Sequence, residues 1–274
     1  MSPMYLCDTH THSLISADCD ARLSDMVSAA IRLNLSEFCT TDHCDLLDAD
    51  GNLNDRFDWT AAKAQYHDAL PLTEGRLALR LGIELGSIIY RPDLARRILA
   101  EGGDELDFVL GSLHNWIGSH GNIELYLMDF SVSQALCREA VDCYLRSTLE
   151  LVRQCPDCYD SLAHLVYPMR YIRRDGRHVP ITDYEEPIRQ ILAELVRTDH
   201  ALEVNTCRAT DMEHWSLLLR WYRECGGKLI TVGSDAHTPE DVAKGIPTVL
   251  ELIRAAGFDS VATYEKRRPV LHKL

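Results

Sequence analysis

The pattern that decides the fold begins at residues 4–13, which read MYLCDTHTHS. A short run of β-forming residues, Met4–Asp8, passes directly into an H-x-H pair formed by His10 and His12. Side chains at positions i and i+2 of an extended segment point to the same side, so both imidazoles can face one cation. A single H-x-H pair also occurs by chance. It gains weight only where the same arrangement recurs along the chain.

Further β-rich runs alternate with segments of helical periodicity. The predicted strands after the first are Glu37–Thr41, Leu77–Leu85, Phe108–Ser112, Ser161–His164, Ala201–Asn205 and Leu229–Ser234. The clearest predicted helices are Leu23–Asn34, Ser131–Gln154, Tyr184–Thr198 and Met212–Glu224. Seven β–α units in succession predict a parallel sheet, and closing that sheet into a barrel would hide its edges. We therefore predict an α/β barrel of the TIM-like type that forms a single domain over residues 1–274.

Active sites of such barrels lie at the carboxyl ends of the strands. Residues able to bind a metal ion stand at six of the seven predicted strand ends, and they are His10, His12, His43, Glu84, His114, His164, Asp235 and His237. A structural role does not explain this convergence, because so many imidazoles and carboxylates would be poorly solvated together without a cation. Mixed nitrogen and oxygen ligands favour zinc, manganese, iron or cobalt. Their number predicts two or three divalent ions, with Glu84 suited to bridge.

Composition limits the partners of the chain. Its 274 residues carry 42 acidic and 28 basic side chains and a formal net charge of −14, which disfavours nucleic acids and anionic membranes. No apolar run approaches the length of a membrane span and no signal peptide is recognised, so we expect a cytoplasmic protein. The ten cysteines, including a C-x-x-C pair at Cys155 and Cys158, are irregularly spaced and are interpreted as reduced thiols. The oligomeric state stays open.

The chain resembles the PHP (polymerase and histidinol phosphatase) superfamily in an ordered series of motifs: DTHTHS, TTDH, GIELG, GSLH, LAHL and GSDAH. The resemblance covers almost the whole chain and implies a distorted (β/α)7 barrel with three metal sites. It implies a first ion held by His10, His12, Glu84 and Asp235, a second held by Glu84, His114 and His164, and a third held by Asp18, His43 and His237. Asp20 is an alternative to Asp18.

Within the superfamily the chain is most similar to the monofunctional histidinol-phosphatases, in the segments DFVLGSLHNW, LAHLVYPMRY and LEVNTCRAT. The resemblance implies hydrolysis of a small phosphate monoester, L-histidinol phosphate, in histidine biosynthesis. Arg170 and Arg208 are candidate phosphate contacts, because guanidinium donors match phosphate oxygens. Asp42 is a candidate for orienting a ligand imidazole, and His237 for assisting the leaving group. The acidic segment Asp45–Asp55 is compatible with a cationic substrate.

Three other interpretations stay open. The same ligands would serve a PHP phosphoesterase that acts on a nucleotide, phosphotyrosine or a sugar phosphate. A metal-dependent amidohydrolase also has H-x-H on a barrel strand, although such enzymes usually have eight units and often a bridging lysine, whose place Glu84 takes here. A scaffold or accessory role, as in PHP domains fused to DNA polymerases, is disfavoured by the acidic charge and the complete ligand set.

Overall fold

The computed structural model describes residues 5–210 and 212–274, so Met4, the predicted start of the first strand, lies outside them. The main sheet of this part of the chain consists of β1 (Cys7–Asp8), β2 (Glu37–Thr40), β3 (His43–Asp45), β4 (Ala78–Gly86), β5 (Phe108–Ser112), β6 (Ser161–Leu162), β7 (Ala201–Asn205) and β8 (Ile230–Gly233). The helices are α1 (Leu23–Arg32), α2 (Trp59–Ala69), α3 (Pro92–Gly102), α4 (Gln134–Gln154), α5 (Tyr167–Arg174), α6 (Glu185–Arg197), α7 (Trp215–Glu224) and α8 (Ile246–Ala255). A hairpin of β9 (Ser260–Glu265) and β10 (Arg268–Lys273) follows.

The strands of the main sheet are parallel and closed into a barrel. Their order is β1–β2–β4–β5–β6–β7–β8, with the short β3 pairing with β4 just after β2 ends. The first and last strands meet, since Thr9 N donates to Val232 O at 3.0 Å and His12 N donates to Ala236 O at 2.9 Å. The predicted distorted TIM-like barrel with seven strands is thereby confirmed.

The four helices predicted from periodicity are present, with ends that differ by no more than three residues. The differences of three residues are at the starts of α4 and α7. Helix α4 begins at Gln134 because Ser133 caps it, its hydroxyl accepting from Leu136 N at 3.1 Å. The apolar faces of the helices pack on the outside of the barrel. In α6, for example, Ile188 and Leu192 are fully buried one turn apart.

Successive side chains along each strand point alternately to the inside and to the outside of the barrel. In β7, Leu202 and Val204 point outward into the core that the helices cover. Ala201 points inward and packs in a smaller apolar cluster with Phe108 and Leu110 of β5. This apolar cluster fills part of the barrel interior below the polar side chains of its carboxyl end.

The hairpin covers the amino end of the barrel. Ala262 and Tyr264 of β9 join the same apolar cluster as Phe108. Arg267, in the turn of the hairpin, forms an ion pair with Asp160 at 3.0 Å, and Tyr264 Oη donates to Asp160 O at 3.1 Å. Asp160 stands immediately before β6, so the hairpin lies at the end opposite the predicted ligands. These two strands were not predicted from the sequence.

All ten cysteines are free thiols, as expected from their spacing. Among the described helices, none combines the length and apolarity that crossing a membrane requires.

Candidate metal centre

The carboxyl ends of the strands bring the nine predicted ligands together at one cavity of about 1000 Å³. Seven of them line the cavity wall, and these are Asp18, His43, Glu84, His114, His164, Asp235 and His237. The other two, His10 and His12, are fully buried beside Glu84. The amino-acid types expected to bind cations therefore converge in space, although 227 positions separate His10 from His237 in the chain.

Glu84 is the centre of this cluster. Its Oε2 atom lies 3.2 Å from His10 Nε2 and 3.8 Å from His12 Nε2. Its Oε1 atom lies 2.9 Å from His164 Nε2 and 3.2 Å from His114 Nε2. One carboxylate oxygen thus faces each pair of imidazoles, which is the division that a carboxylate bridging two ions requires.

The first predicted set fits a divalent cation. Asp235 Oδ1 completes it at 3.5 Å from His12 Nε2 and 3.8 Å from His10 Nε2. Donor atoms around a tetrahedral zinc ion with bonds of about 2.0–2.1 Å lie about 3.3 Å apart, close to these separations. Among the residues that the structure describes, His10 Nε2, His12 Nε2 and Glu84 Oε2 have no hydrogen-bond partner although they are buried, an arrangement that costs about 1–3 kcal/mol for each atom unless a cation satisfies it.

The third predicted set lies at the edge of the cavity. Asp18 Oδ2 is 3.1 Å from His237 Nε2 and 3.7 Å from His43 Nε2. His43 Nδ1 lies 2.8 Å from Glu84 Oε2, which joins this set to the bridging carboxylate. Asp20 is exposed and does not line the cavity. The geometry therefore favours Asp18 over Asp20.

Burial and neighbouring charges set the protonation of the central groups. Burial raises the pKa of Glu84, but the surrounding His10, His114 and His43 hold it well below its usual value. Burial, together with the nearby His43, holds the pKa of His12 well below its usual value. An ionised Glu84 and a neutral His12 are the forms that bind a cation.

Two carboxylates that the sequence analysis did not identify fix the outer nitrogens of ligand imidazoles. Glu203 Oε1 lies 2.6 Å from His10 Nδ1, and Asp45 Oδ1 lies 2.7 Å from His114 Nδ1. Because an ionised carboxylate only accepts, each Nδ1 donates and each Nε2 keeps its lone pair toward the centre. Glu203 Oε2 also accepts from the backbone N of His164 at 2.8 Å, so one side chain holds two ligands.

A signal for Glu203 is present in the sequence. It stands two residues before Asn205 in a strand whose other members are apolar, so both polar side chains point into the barrel. Asp45 gives no comparable signal, because it begins a segment rich in acidic residues and cannot be separated from them by pattern alone. Its position depends on the break between β2 and β3.

The role of Asp42 differs in detail from the predicted one. Its carboxylate accepts from Ser13 N at 2.5 Å, from Ser13 Oγ at 2.8 Å and from Ser16 Oγ at 2.8 Å. Ser16 Oγ lies 3.2 Å from His12 Nδ1 and accepts from His43 N at 3.0 Å. Asp42 therefore reaches two ligands through Ser16 and contacts neither imidazole directly, because the loop after β1 lies between them.

Both predicted substrate contacts lie in the cavity wall. Arg170 donates to Asp235 Oδ2 at 3.0 Å and to Asn205 Oδ1 at 2.7 Å. The half-buried Arg208 is held by its backbone N, which donates to Ser234 O at 2.8 Å. Arg170 thus orients a predicted ligand while its guanidinium faces the cavity.

Two predicted ligands have strained backbones. His164 has a φ of 22° and Asp235 a φ of 61°, a region that costs residues other than glycine about 1–3 kcal/mol. β6 consequently ends at Leu162, whereas the sequence had predicted that it would extend to His164. Gly233 lies two residues before Asp235 and has no room for a Cβ atom, which would collide with His10 Cβ and Glu203 Oε1. The turns that aim these ligands inward depend on this tight packing.

We expect Glu203→Gln to weaken metal binding about 10- to 100-fold, because the amide cannot accept from His10 Nδ1 and His164 N as two carboxylate oxygens do. Competition with a chelating indicator measures the zinc affinity. The matched control is Glu186→Gln, at an exposed position of α6. Equal zinc affinities in the two variants would contradict the orienting role of Glu203.

The family model that describes the PHP domain matches residues 8–207. A histidinol-phosphatase of Lactococcus lactis is 29% identical over 266 residues, which cover 94% of this chain and 93% of that protein. A probable histidinol-phosphatase of Thermotoga maritima is 27% identical over 269 residues, which cover 95% and 96% of the two chains.

A solved structure gives the same result. The crystal structure of histidinol phosphate phosphatase from Lactococcus lactis, complexed with zinc, L-histidinol and phosphate, superposes with a TM-score of 0.82 at 27% identity. The match covers 98% of this chain and 100% of that one. Fold, order of motifs and similarity over the full length agree, and the chain therefore belongs to the PHP domain family.

Proposed function

We propose that the protein is a metal-dependent phosphatase that hydrolyses L-histidinol phosphate to L-histidinol and phosphate, a step of histidine biosynthesis. The observation that carries the proposal is the similarity over more than nine tenths of both chains to the Lactococcus lactis enzyme, whose structure contains zinc, L-histidinol and phosphate. The cluster around Glu84 supports it, because its donor atoms have the separations that bound cations require.

Two or three divalent ions would be held by three sets of ligands that share Glu84. The first set is His10, His12, Glu84 and Asp235, the second is Glu84, His114 and His164, and the third is Asp18, His43 and His237. When bound, ions in such a cluster supply positive charge for phosphate oxygens and a nucleophile from water near neutral pH. Glu203, Asp45 and Ser16 keep the imidazoles aimed at the centre.

The remaining polar groups of the cavity are assigned to the substrate. Arg170 and Arg208 would donate to the phosphate oxygens. His237 Nδ1 lies 3.0 Å from Asp235 O, to which it donates, so His237 Nε2 is the atom that faces Asp18 and the cavity. Assistance to the leaving group would require this same Nε2 atom. His237 therefore cannot act as a ligand and transfer a proton at the same time.

We also propose the binding partners and the cellular location of the protein. A small phosphorylated substrate suits a cavity of about 1000 Å³, and the net charge of −14 supports a function without nucleic acid or anionic membrane. We place the protein in the cytoplasm.

The proposed substrate is tested by phosphate release. The protein loaded with zinc, manganese or iron is assayed with L-histidinol phosphate and with nucleotides, sugar phosphates and phosphotyrosine. We expect kcat/KM for L-histidinol phosphate to exceed the others at least about 100-fold, the discrimination that specific polar contacts provide. Equal kcat/KM values across the panel would replace the proposal by that of a general phosphoesterase.

A further inference from the structure

We propose that Glu124 binds the protonated amine of the substrate and so selects phosphate esters of amino alcohols. This inference rests on the proposed function and deepens it by assigning a residue to the organic end of the substrate. Glu124 lies in the cavity wall, outside the nine predicted ligands. Two observations support a role for Glu124 in binding the amine: the other carboxylates of the cavity already have partners, and Glu124 is suitably positioned.

Most carboxylates that line the cavity are already engaged. Glu84, Asp235 and Asp18 belong to the cluster of predicted ligands. Asp45 accepts from His114 Nδ1. The others bind backbone N–H groups: Asp48 accepts from Asp50 N and Asn52 N, and Asp58 accepts from Ala61 N as the N-cap of α2. Asp45 and Asp48, the two acidic residues of the segment Asp45–Asp55 that line the cavity, are therefore already engaged within the protein.

Glu124 differs from these six. Across the described ranges, its carboxylate has one side chain within hydrogen-bond distance, Tyr167, whose Oη donates to Glu124 Oε1 at 3.4 Å. That bond is long and leaves the other oxygen to the cavity. A half-buried carboxylate without a cationic partner is poorly solvated, and a bound ammonium group would supply the missing charge and hydrogen bonds.

The position of Glu124 matches the geometry of an amino-alcohol phosphate. The Tyr167 ring lies 5.0 Å from the His114 ring and 4.7 Å from the His164 ring, centre to centre, so one tyrosine separates Glu124 from the second ligand set. In such a substrate two carbons and one oxygen separate the nitrogen from phosphorus. Phosphate at the centre would therefore place the ammonium group on the side where Glu124 stands.

The backbone of Glu124 is fixed relative to the centre. The residue pairs with Asn115, which directly follows the ligand His114, and Leu125 N donates to His114 O at 2.9 Å. The segment beyond it is tied to α5 by Arg174, which donates to Tyr126 O and to Met128 O, both at 2.7 Å. Glu124 is thus held in place before any substrate arrives, as selective binding requires.

The test compares L-histidinol phosphate with its deamino analogue, 3-(imidazol-4-yl)propyl phosphate, as substrates of the metal-loaded protein. We expect Glu124→Gln to lower kcat/KM for L-histidinol phosphate about 30- to 100-fold and to change that for the analogue less than about twofold. Glu139→Gln, an exposed acid outside the cavity, is the matched control and should leave both values unchanged. Metal content and melting temperature of each variant show that the site is intact.

Two further variants keep the test decisive if Glu124→Gln does not fold. Glu124→Asp keeps the charge with a shorter reach, and Tyr167→Phe removes only the hydroxyl that contacts Glu124. Both should lower the ratio of the two kcat/KM values in the same direction, by about three- to tenfold. A ratio that stays at the wild-type value in all folded variants overturns the assignment of Glu124, whatever the substrate preference of the wild-type protein.

A second substrate pair separates this inference from the proposed function. If L-histidinol phosphate is not preferred, O-phosphoethanolamine and ethyl phosphate are compared instead. A wild-type preference for the amine that Glu124→Gln abolishes supports the role of Glu124 although the proposed substrate is wrong. A wild-type protein that does not favour amines in either pair overturns the inference.

Discussion

Protein treated with a chelator is expected to lose its phosphatase activity by at least about 10 000-fold. The reason is the composition of the cluster, in which buried imidazole and carboxylate atoms face one another and lack hydrogen-bond partners in the described part of the chain. Arg170 and Arg208 alone offer positive charge to a phosphate but no means of generating a nucleophile. Adding back zinc, manganese or iron should restore phosphate release, and the metal that restores most activity identifies the preferred ion.

Loss of the ions should also lower stability. Ligands that bind only the folded state stabilise it by mass action, and for a chain of this size we expect the melting temperature to fall by roughly 5–10 °C. The control is the same treatment followed by an excess of the metal, which removes any direct effect of the chelator. Full activity in protein shown by elemental analysis to be free of metal would rule out the proposed chemistry.

The second large effect is expected for Glu84→Gln. An amide has one acceptor oxygen, and its NH₂ group would point donors at atoms that must face a cation. Because Glu84 Oε2 serves the first set and Oε1 the second, one substitution should empty both. We expect kcat/KM to fall at least about 10 000-fold and most of the bound metal to be lost, as measured by elemental analysis.

Two other variants serve as comparisons for Glu84→Gln. Asp235→Asn changes a ligand of the first set alone, so it should retain more metal than Glu84→Gln. Glu251→Gln, at an exposed position of α8, should retain both metal and activity. If Glu84→Gln kept the wild-type metal content, the carboxylate would not be the bridge, and the two ligand sets would have to be independent.

The sequence predicted the barrel and eight of the nine candidate ligands because both leave local patterns, and the family resemblance implied the ninth, Asp18. Strand alternation and the i, i+2 spacing of His10 and His12 are visible within a few residues. The residue at which a strand ends is harder to predict from the sequence. β6 stops before His164 because the backbone there adopts a positive φ, and no composition rule predicts that a histidine accepts such strain.

The groups that support the ligands were harder to predict, since they act between distant parts of the chain. Glu203 lies 193 positions from His10, and Asp45 lies 69 positions from His114. Closure of the barrel brings Glu203 near His10, and the pairing of both β3 and β5 with β4 brings Asp45 near His114. Glu124 reaches the cavity because its segment pairs with Asn115 in the loop after β5.

The hairpin of β9 and β10 has a consequence for turnover. It blocks one end of the barrel with Ala262 and Tyr264, so the cavity at the other end is the shared entrance and exit of all small molecules. On the proposed function, the organic product would lie nearer the mouth of the cavity and would leave first. Inorganic phosphate, bound at the buried ligand cluster, would leave last. Accumulated phosphate should therefore compete with the next substrate molecule, and the rate of the enzyme in a cell would follow the local phosphate concentration.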